Sequence, residues 1–180
     1  MKRLLFLLPV LGFIGLIAVF GVGLTKDPSL LPSQLIDRPL PEFALPGIEA
    51  TPGGGPGFAS AALKGEPMLL NIFASWCAAC PQEHPVLTDI AAQGVPIYGL
   101  AWKDKPEDSR NWLSRWGNPY KAVAADEPGR TAIDLGVTGV PETFVVDKAG
   151  RVRFKQIGPI TPEDWQLRIK PLLDQLRAEA

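Results

Sequence analysis

Asn71-Ile72-Phe73-Ala74-Ser75-Trp76-Cys77-Ala78-Ala79-Cys80-Pro81 decides how the chain is read. An apolar run, Met68 to Ala74, ends in a tryptophan and then in two cysteines three apart, the only cysteines present. An apolar strand that stops at Cys-x-x-Cys before a helix marks a redox dithiol. On a first helical turn, positions i and i+3 put both sulfurs on one face, close enough to bond. The helix N-terminus, with its free N–H groups and macrodipole, favours a thiolate on Cys77. Cys77 is then the attacking nucleophile, and Cys80 closes the ring and releases the product. One alternative is a structural disulfide, but so short a loop gains little closure entropy. The other is a zinc site, which needs four ligands. With no further cysteine and the single histidine, His84, no standard set exists, so no metal is expected.

Working outward, the chain has 180 residues and a formal net charge of −1, so nothing points to nucleic acid. The 19 prolines and 18 glycines gather in connecting stretches, and an apolar content of 46% argues against disorder. The length suggests one domain plus an appendage.

Met1-Lys2-Arg3 is followed by an uncharged apolar run from Leu4 to Leu24. About 21 residues at ~1.5 Å each rise roughly 31 Å, the thickness of a bilayer core. Lys2 and Arg3 stay cytoplasmic by the positive-inside rule, which places the rest outside. A cleaved signal peptide is the alternative, with Gly21-Val22-Gly23 as a weak cleavage site. Its apolar region is usually shorter, so a single-pass anchor over 1–25 is expected. Residues 26–41, rich in proline, form a semi-rigid spacer, and residues 42–180 form the domain.

Within that domain Glu42 to Leu45 reads as a short strand. Thr51 to Gly57 reads as a loop, and Ser60 to Leu63 as a helical turn. Met68 to Ala74 is a buried central strand, and Cys77 to about Gln93 is a helix kinked at Pro85. Val95 to Trp102 is a strand, and Pro106 to Trp116 a helix with Trp112, Leu113 and Trp116 on one face. Ala122 to Ala125 is a strand and Arg130 to Leu135 a helical turn. Thr143 to Asp147 and Val152 to Ile157 form a hairpin. Thr161-Pro162-Glu163-Asp164 starts a last helix running through Leu176. The order predicts an α/β fold with a central mixed β-sheet flanked by helices. His84 and the tryptophans at 102, 112, 116 and 165 are expected in packing roles, while Trp76 shapes the contact surface beside Cys77.

Leu69 to Cys80, then Glu83-His84-Pro85, then Gly136-Val137-Thr138-Gly139-Val140-Pro141-Glu142-Thr143-Phe144 resemble the membrane-anchored thioredoxin-like proteins of the DsbE/CcmG type. These are thiol:disulfide interchange proteins of cytochrome c maturation. The likeness covers roughly Leu35 to Leu176 and implies a thioredoxin-like fold. It assigns Cys77 as nucleophile and Cys80 as resolving thiol, and aligns Pro141 with the family's cis-proline. A cis X-Pro bond is cheap among cis bonds, and it leaves the Val140 backbone free to pair with an extended substrate. Glu83 and Glu142 match acidic residues near the family's site.

Cytoplasmic thioredoxins carry a buried, proton-shuttling Asp where this chain has Asn71, which cannot titrate, so Glu83 is the candidate replacement. The resemblance implies a reductant facing the periplasm from the bacterial inner membrane. It implies no cofactor beyond the Cys77–Cys80 disulfide. The expected partners are apocytochrome c, or a cytochrome-assembly thiol protein, and a membrane thiol reductant of DsbD/CcdA type. The rivals are a general extracytoplasmic thioredoxin-like reductase and an apocytochrome-binding chaperone. A peroxidase is disfavoured, because Ser75-Trp76-Cys77 is not the Thr-x-x-Cys that such enzymes need.

Overall fold

The computed structural model describes residues 7–24, 35–48 and 55–179. The chain divides into two compact units, Met1–Pro32 and Ser33–Ala180. In the first, helix α1 (Leu7–Leu24) is apolar along its whole length. Its 18 residues rise about 27 Å, short of the ~30 Å of a hydrocarbon core. Among the described residues no helix is long and apolar enough to cross a membrane. Lys2, Arg3, the spacer from Thr25 to Gln34 and the loop residues Thr51 to Gly54 lie outside the described residues.

The second unit is built on a five-stranded sheet in the order β5-β4-β3-β6-β7. Its strands are β3 (Met68–Phe73), β4 (Ile97–Trp102), β5 (Ala122–Asp126), β6 (Glu142–Val146) and β7 (Val152–Ile157). β3, β4 and β5 run parallel, whereas β6 and β7 pair antiparallel. The parallel crossovers pass through α2 (Cys80–Ala92) and α3 (Pro106–Trp116). α4 (Arg130–Asp134) precedes β6. α5 (Pro162–Asp164), a π-helical turn (Trp165–Ile169) and α6 (Lys170–Ala178) end the chain. The sheet is mixed and flanked by helices, as the element order predicts.

Every residue of β3 is buried, because helices cover both faces of this central strand. One face carries Leu69, Phe73, Ile97, Val123 and Val145, packed with Leu87 and Ile90 of α2 and Leu173 and Leu176 of α6. The other carries Leu70, Ile72, Leu100 and Phe144, packed with Leu40, Phe58, Leu63 and Leu135. Successive strand residues alternate between these faces.

Three differences from the sequence reading have local causes. Residues 35–41, expected in the spacer, are bound to the sheet. Ile36 and Pro39 bridge Val152 and Arg151, and Asp37 N–H donates to the Val152 carbonyl at 2.7 Å. Farther on, β1 (Ala44–Leu45) pairs with β2 (Phe58–Ala59), Gly47 bridges Ala124, and Ala125 N–H donates to Pro46. One N-terminal stretch thus bonds to both edge strands, to β7 at Val152 and to β5 at Ala124 and Ala125.

Helix α2 begins at Cys80, three residues later than expected. Pro81 therefore falls in the first turn, where its missing N–H is not needed. The last helix opens at Thr161 as expected, with Asp164 completing a capping box, but is interrupted by the π turn. Pro171 has no N–H to return to the Leu167 carbonyl, so the α ladder fails there.

Candidate active site

The cysteines sit at the carboxyl end of β3. Cys77 N–H donates to the Ala74 carbonyl at 3.2 Å, closing a turn whose central residues are Ser75 and Trp76. Cys77 and Cys80 are disulfide-bonded, with Cα atoms 5.5 Å apart. Cys77 is 6% exposed and Cys80 1%, so Cys77 is the more accessible of two buried residues. Cys77 lies ahead of the helix, not in its first turn. Its sulfur nevertheless accepts the Cys80 N–H at 3.0 Å, the first amide of α2. That donor favours a thiolate on Cys77, so the reason for its role survives the shifted helix start. Trp76, 55% exposed, stands beside the disulfide, its Nε1–H donating to the Lys103 carbonyl at 3.0 Å.

A buried polar network lies on the same face of the sheet. Glu83 is one turn after Cys80, so both occupy the inward face of α2. Asn71 Nδ2 donates to Glu83 Oε1 and to Thr143 Oγ1, each at 2.9 Å. The Tyr120 hydroxyl donates to Asn71 Oδ1 at 2.7 Å, and Ile160 N–H donates to Glu83 Oε2 at 3.0 Å. Burial pushes the Glu83 carboxyl up to about 7, against the opposing pull of the Ile160 and Asn71 donors. Burial and, behind it, the charge on Glu83 hold the Tyr120 phenol well above its usual range. A carboxyl that titrates near neutrality can give and take protons at working pH.

Pro141 follows a cis peptide bond, as the resemblance implied, and Gly158 N–H donates to its carbonyl at 3.0 Å. Val140 is half-buried in the same loop. Glu142 does not join Glu83. It pairs in register with Ile72, whereas its neighbour Thr143 pairs with Asn71, so alternation sends its side chain to the opposite face. There it meets Lys155 Nζ at 2.8 Å and accepts from Thr138 N–H at 3.0 Å and Thr138 Oγ1 at 2.5 Å. Lys155 also donates to the Gly136 carbonyl at 2.7 Å and lies over the Phe144 ring. Glu142 therefore holds the loop carrying Val140 and Pro141.

His84 is buried edge-on against Trp112, and its Nε2 bonds the Gly117 carbonyl at 3.0 Å. Burial lowers its pKa. It serves packing, as do Trp112 and Trp165, while Trp116 is exposed.

The sequence reading missed Asp104, Lys155 and Tyr120. Asp104 is 4% exposed and accepts from Ser75 N–H and Ser75 Oγ at 2.7 Å each. An acid just after a buried strand and before a helix with Pro at its start was the available signal.

Residues 36–155 match the AhpC/TSA family. The thiol:disulfide interchange protein DsbE of Pseudomonas aeruginosa is 43% identical over 99% of this chain and 98% of its own. That of Escherichia coli K12 is 36% identical over 100% of this chain and 99% of its own. Among solved structures, a Chlorobium tepidum protein assigned to the DsbE type has a TM-score of 0.65 at 27% identity, covering 77% of this chain and 95% of its own. With the paired cysteines at the end of β3, a cis Val140–Pro141 bond and this sequence kinship, the chain belongs to the AhpC/TSA family and, within it, to the DsbE-type thiol:disulfide interchange proteins, as a thiol:disulfide oxidoreductase.

Proposed function

We propose that the protein is an extracytoplasmic reductant in cytochrome c maturation, held at the bacterial inner membrane by its N-terminal apolar segment. Its substrate is the disulfide of an apocytochrome c haem-attachment pair, or of a small cytochrome-assembly thiol protein. The observation that carries the reading is the Cys77–Cys80 disulfide at the end of β3, with the buried Glu83 carboxyl one turn after the resolving cysteine as its proton acceptor. The kinship to proteins named thiol:disulfide interchange protein DsbE supports disulfide exchange, and the resemblance to the cytochrome c maturation type suggests the substrate.

The thiolate of reduced Cys77 attacks one sulfur of the substrate disulfide. A Cys77–substrate mixed disulfide forms, and the second substrate sulfur leaves as a thiolate. Cys80 gives its proton to Glu83 and attacks Cys77 Sγ. The Cys77–Cys80 disulfide closes, and the substrate departs with both thiols reduced. Two electrons have passed to the substrate. In an oxidising compartment they must be resupplied, which calls for a membrane thiol reductant of DsbD/CcdA type. No other cofactor enters.

Trapping tests the reading. Cys80→Ser stops the reaction at the mixed disulfide. It should accumulate covalent adducts, visible on non-reducing gels and lost on reduction. An apocytochrome c or a small cysteine-bearing assembly protein should be among them, and the membrane reductant another. Cys77→Ser should accumulate few. Equal adducts from both variants would overturn the assignment of the two sulfurs. Equal apocytochrome binding by both variants, with no covalent species, would replace the reductant by a chaperone.

A further inference from the structure

We propose that Asp104 is a positioning residue for Cys77, and that its buried carboxylate helps keep the Cys77–Cys80 pair reducing. The turn presenting the nucleophile has two central residues, Ser75 and Trp76, and consecutive residues of the β4–α3 loop grip both. Asp104 Oδ2 accepts the Ser75 N–H and Oδ1 the Ser75 hydroxyl, each at 2.7 Å. The Lys103 carbonyl accepts Trp76 Nε1–H at 3.0 Å. Lys103 reaches this place with φ at +48°, a left-handed backbone unusual outside glycine. The carboxylate is braced from α3, because Ser109 Oγ donates to Asp104 Oδ2 at 2.5 Å and Ser109 is fully buried.

Three donors on a 4%-exposed carboxylate make a strong, directional clamp. It fixes the residue two before the nucleophile, so it fixes where Cys77 points. It also sets a negative charge, shielded from water, against the turn that ends at the sulfur which must become a thiolate. A nearby like charge disfavours that thiolate and so shifts the dithiol–disulfide balance toward the disulfide. A couple that prefers its disulfide is a better electron donor. Glu83 lies one turn after Cys80 on α2 and Lys103 flanks the turn, and both remain in every variant below.

The proposal rests on the thiol-exchange reading of the site, so the probe is a small aromatic disulfide with no cytochrome character. The full-length chain is reduced, and its reaction with 5,5′-dithiobis(2-nitrobenzoate) is followed across pH. Its redox equilibrium with glutathione is measured alongside. A parent chain inert to the probe would sink the exchange reading itself, independently of Asp104. With a reactive parent, Asp104→Asn should titrate Cys77 at lower pH. It should also shift the glutathione equilibrium toward the dithiol by about three- to tenfold. Ser75→Ala and Ser109→Ala each remove one donor and keep the charge. They should slow the pH-independent attack by about threefold while leaving the Cys77 titration in place. An Asp104→Asn chain that loses stability while keeping the parent's Cys77 titration and glutathione equilibrium would overturn the proposal. If Asp104→Asn does not fold, the serine variants decide: parent-like attack rates in both would overturn it equally.

Discussion

Glu83 shows what one burial decision does at the scale of a residue. Its carboxyl belongs near 4.5 in an open chain and stands at about 7 in the fold. Below 4.5 the folded and unfolded states both hold the proton. Between 4.5 and 7 the unfolded chain ionises while the folded one does not, so stability is lost as pH rises through that window. A difference of about 2.5 pH units is worth about 3 kcal/mol at this almost fully buried group. The urea midpoint of the oxidised protein should therefore fall between pH 4.5 and pH 7.5, and Glu83→Gln should flatten that slope. A slope unchanged in the Gln variant would remove Glu83 as its source. In kinetics, Glu83→Gln should slow resolution of the mixed disulfide more than its formation. Adding Asn71→Asp should restore part of the loss, because Asn71 Nδ2 already lies 2.9 Å from Glu83 Oε1. Equal slowing of both steps would make Glu83 structural. The sequence names Glu83 through local spacing, three residues after Cys80. It does not name Tyr120 or Thr143, which reach Asn71 across 49 and 72 residues and leave no local trace.

Elements explain why the two acids that the resemblance groups together act apart. β6 alternates, so Glu142 and Thr143 serve opposite faces. Only the face shared with Asn71 belongs to the disulfide. Glu142 and Lys155 are 1% and 5% exposed in their side chains, a buried ion pair that joins β6 to β7 and clamps the Gly136–Pro141 loop. Lys155→Met keeps the length of the side chain but strands the carboxylate. Unfolding by guanidinium should show a loss of about 3–5 kcal/mol, and adding Glu142→Gln should recover a good part of it. A Lys155→Met loss below about 1 kcal/mol would mean that the pair does not brace the loop. Strand positions and the α3 and β7 bounds are legible because apolar runs and Pro or Gly punctuation are local signals. The late start of α2 is not, because the Ala74–Cys77 turn and the Asp104 clamp hold Cys77 outside the helix. The N-terminal stretch along both sheet edges is equally hidden: its prolines read as a spacer, and only the finished sheet offers Val152 and Ala124 as partners.

For the whole molecule the question is where the thiols work, and that turns on the first unit. Leu11, Phe13, Ile14, Leu16, Ile17, Val19 and Phe20 of α1 are each more than half exposed. A helix apolar on every side has no face for water and belongs in lipid or in a protein core. Its 18 described residues fall short of a full span, but the uncharged run in the sequence extends back to Leu4, giving 21 residues behind Lys2 and Arg3. If this run is an anchor, the full chain should sediment with membranes and stay there through alkaline carbonate, which strips proteins held only by surface contacts. A protease added outside the cytoplasmic membrane should reach the disulfide-bearing unit, since the basic end stays inside. Recovery of a soluble chain beginning near Leu24 would mean the run is a cleaved signal instead. The outcome bears on the chemistry as well. An anchored reductant meets its membrane electron donor in two dimensions, at a high effective concentration, whereas a released one must find it by diffusion through the compartment.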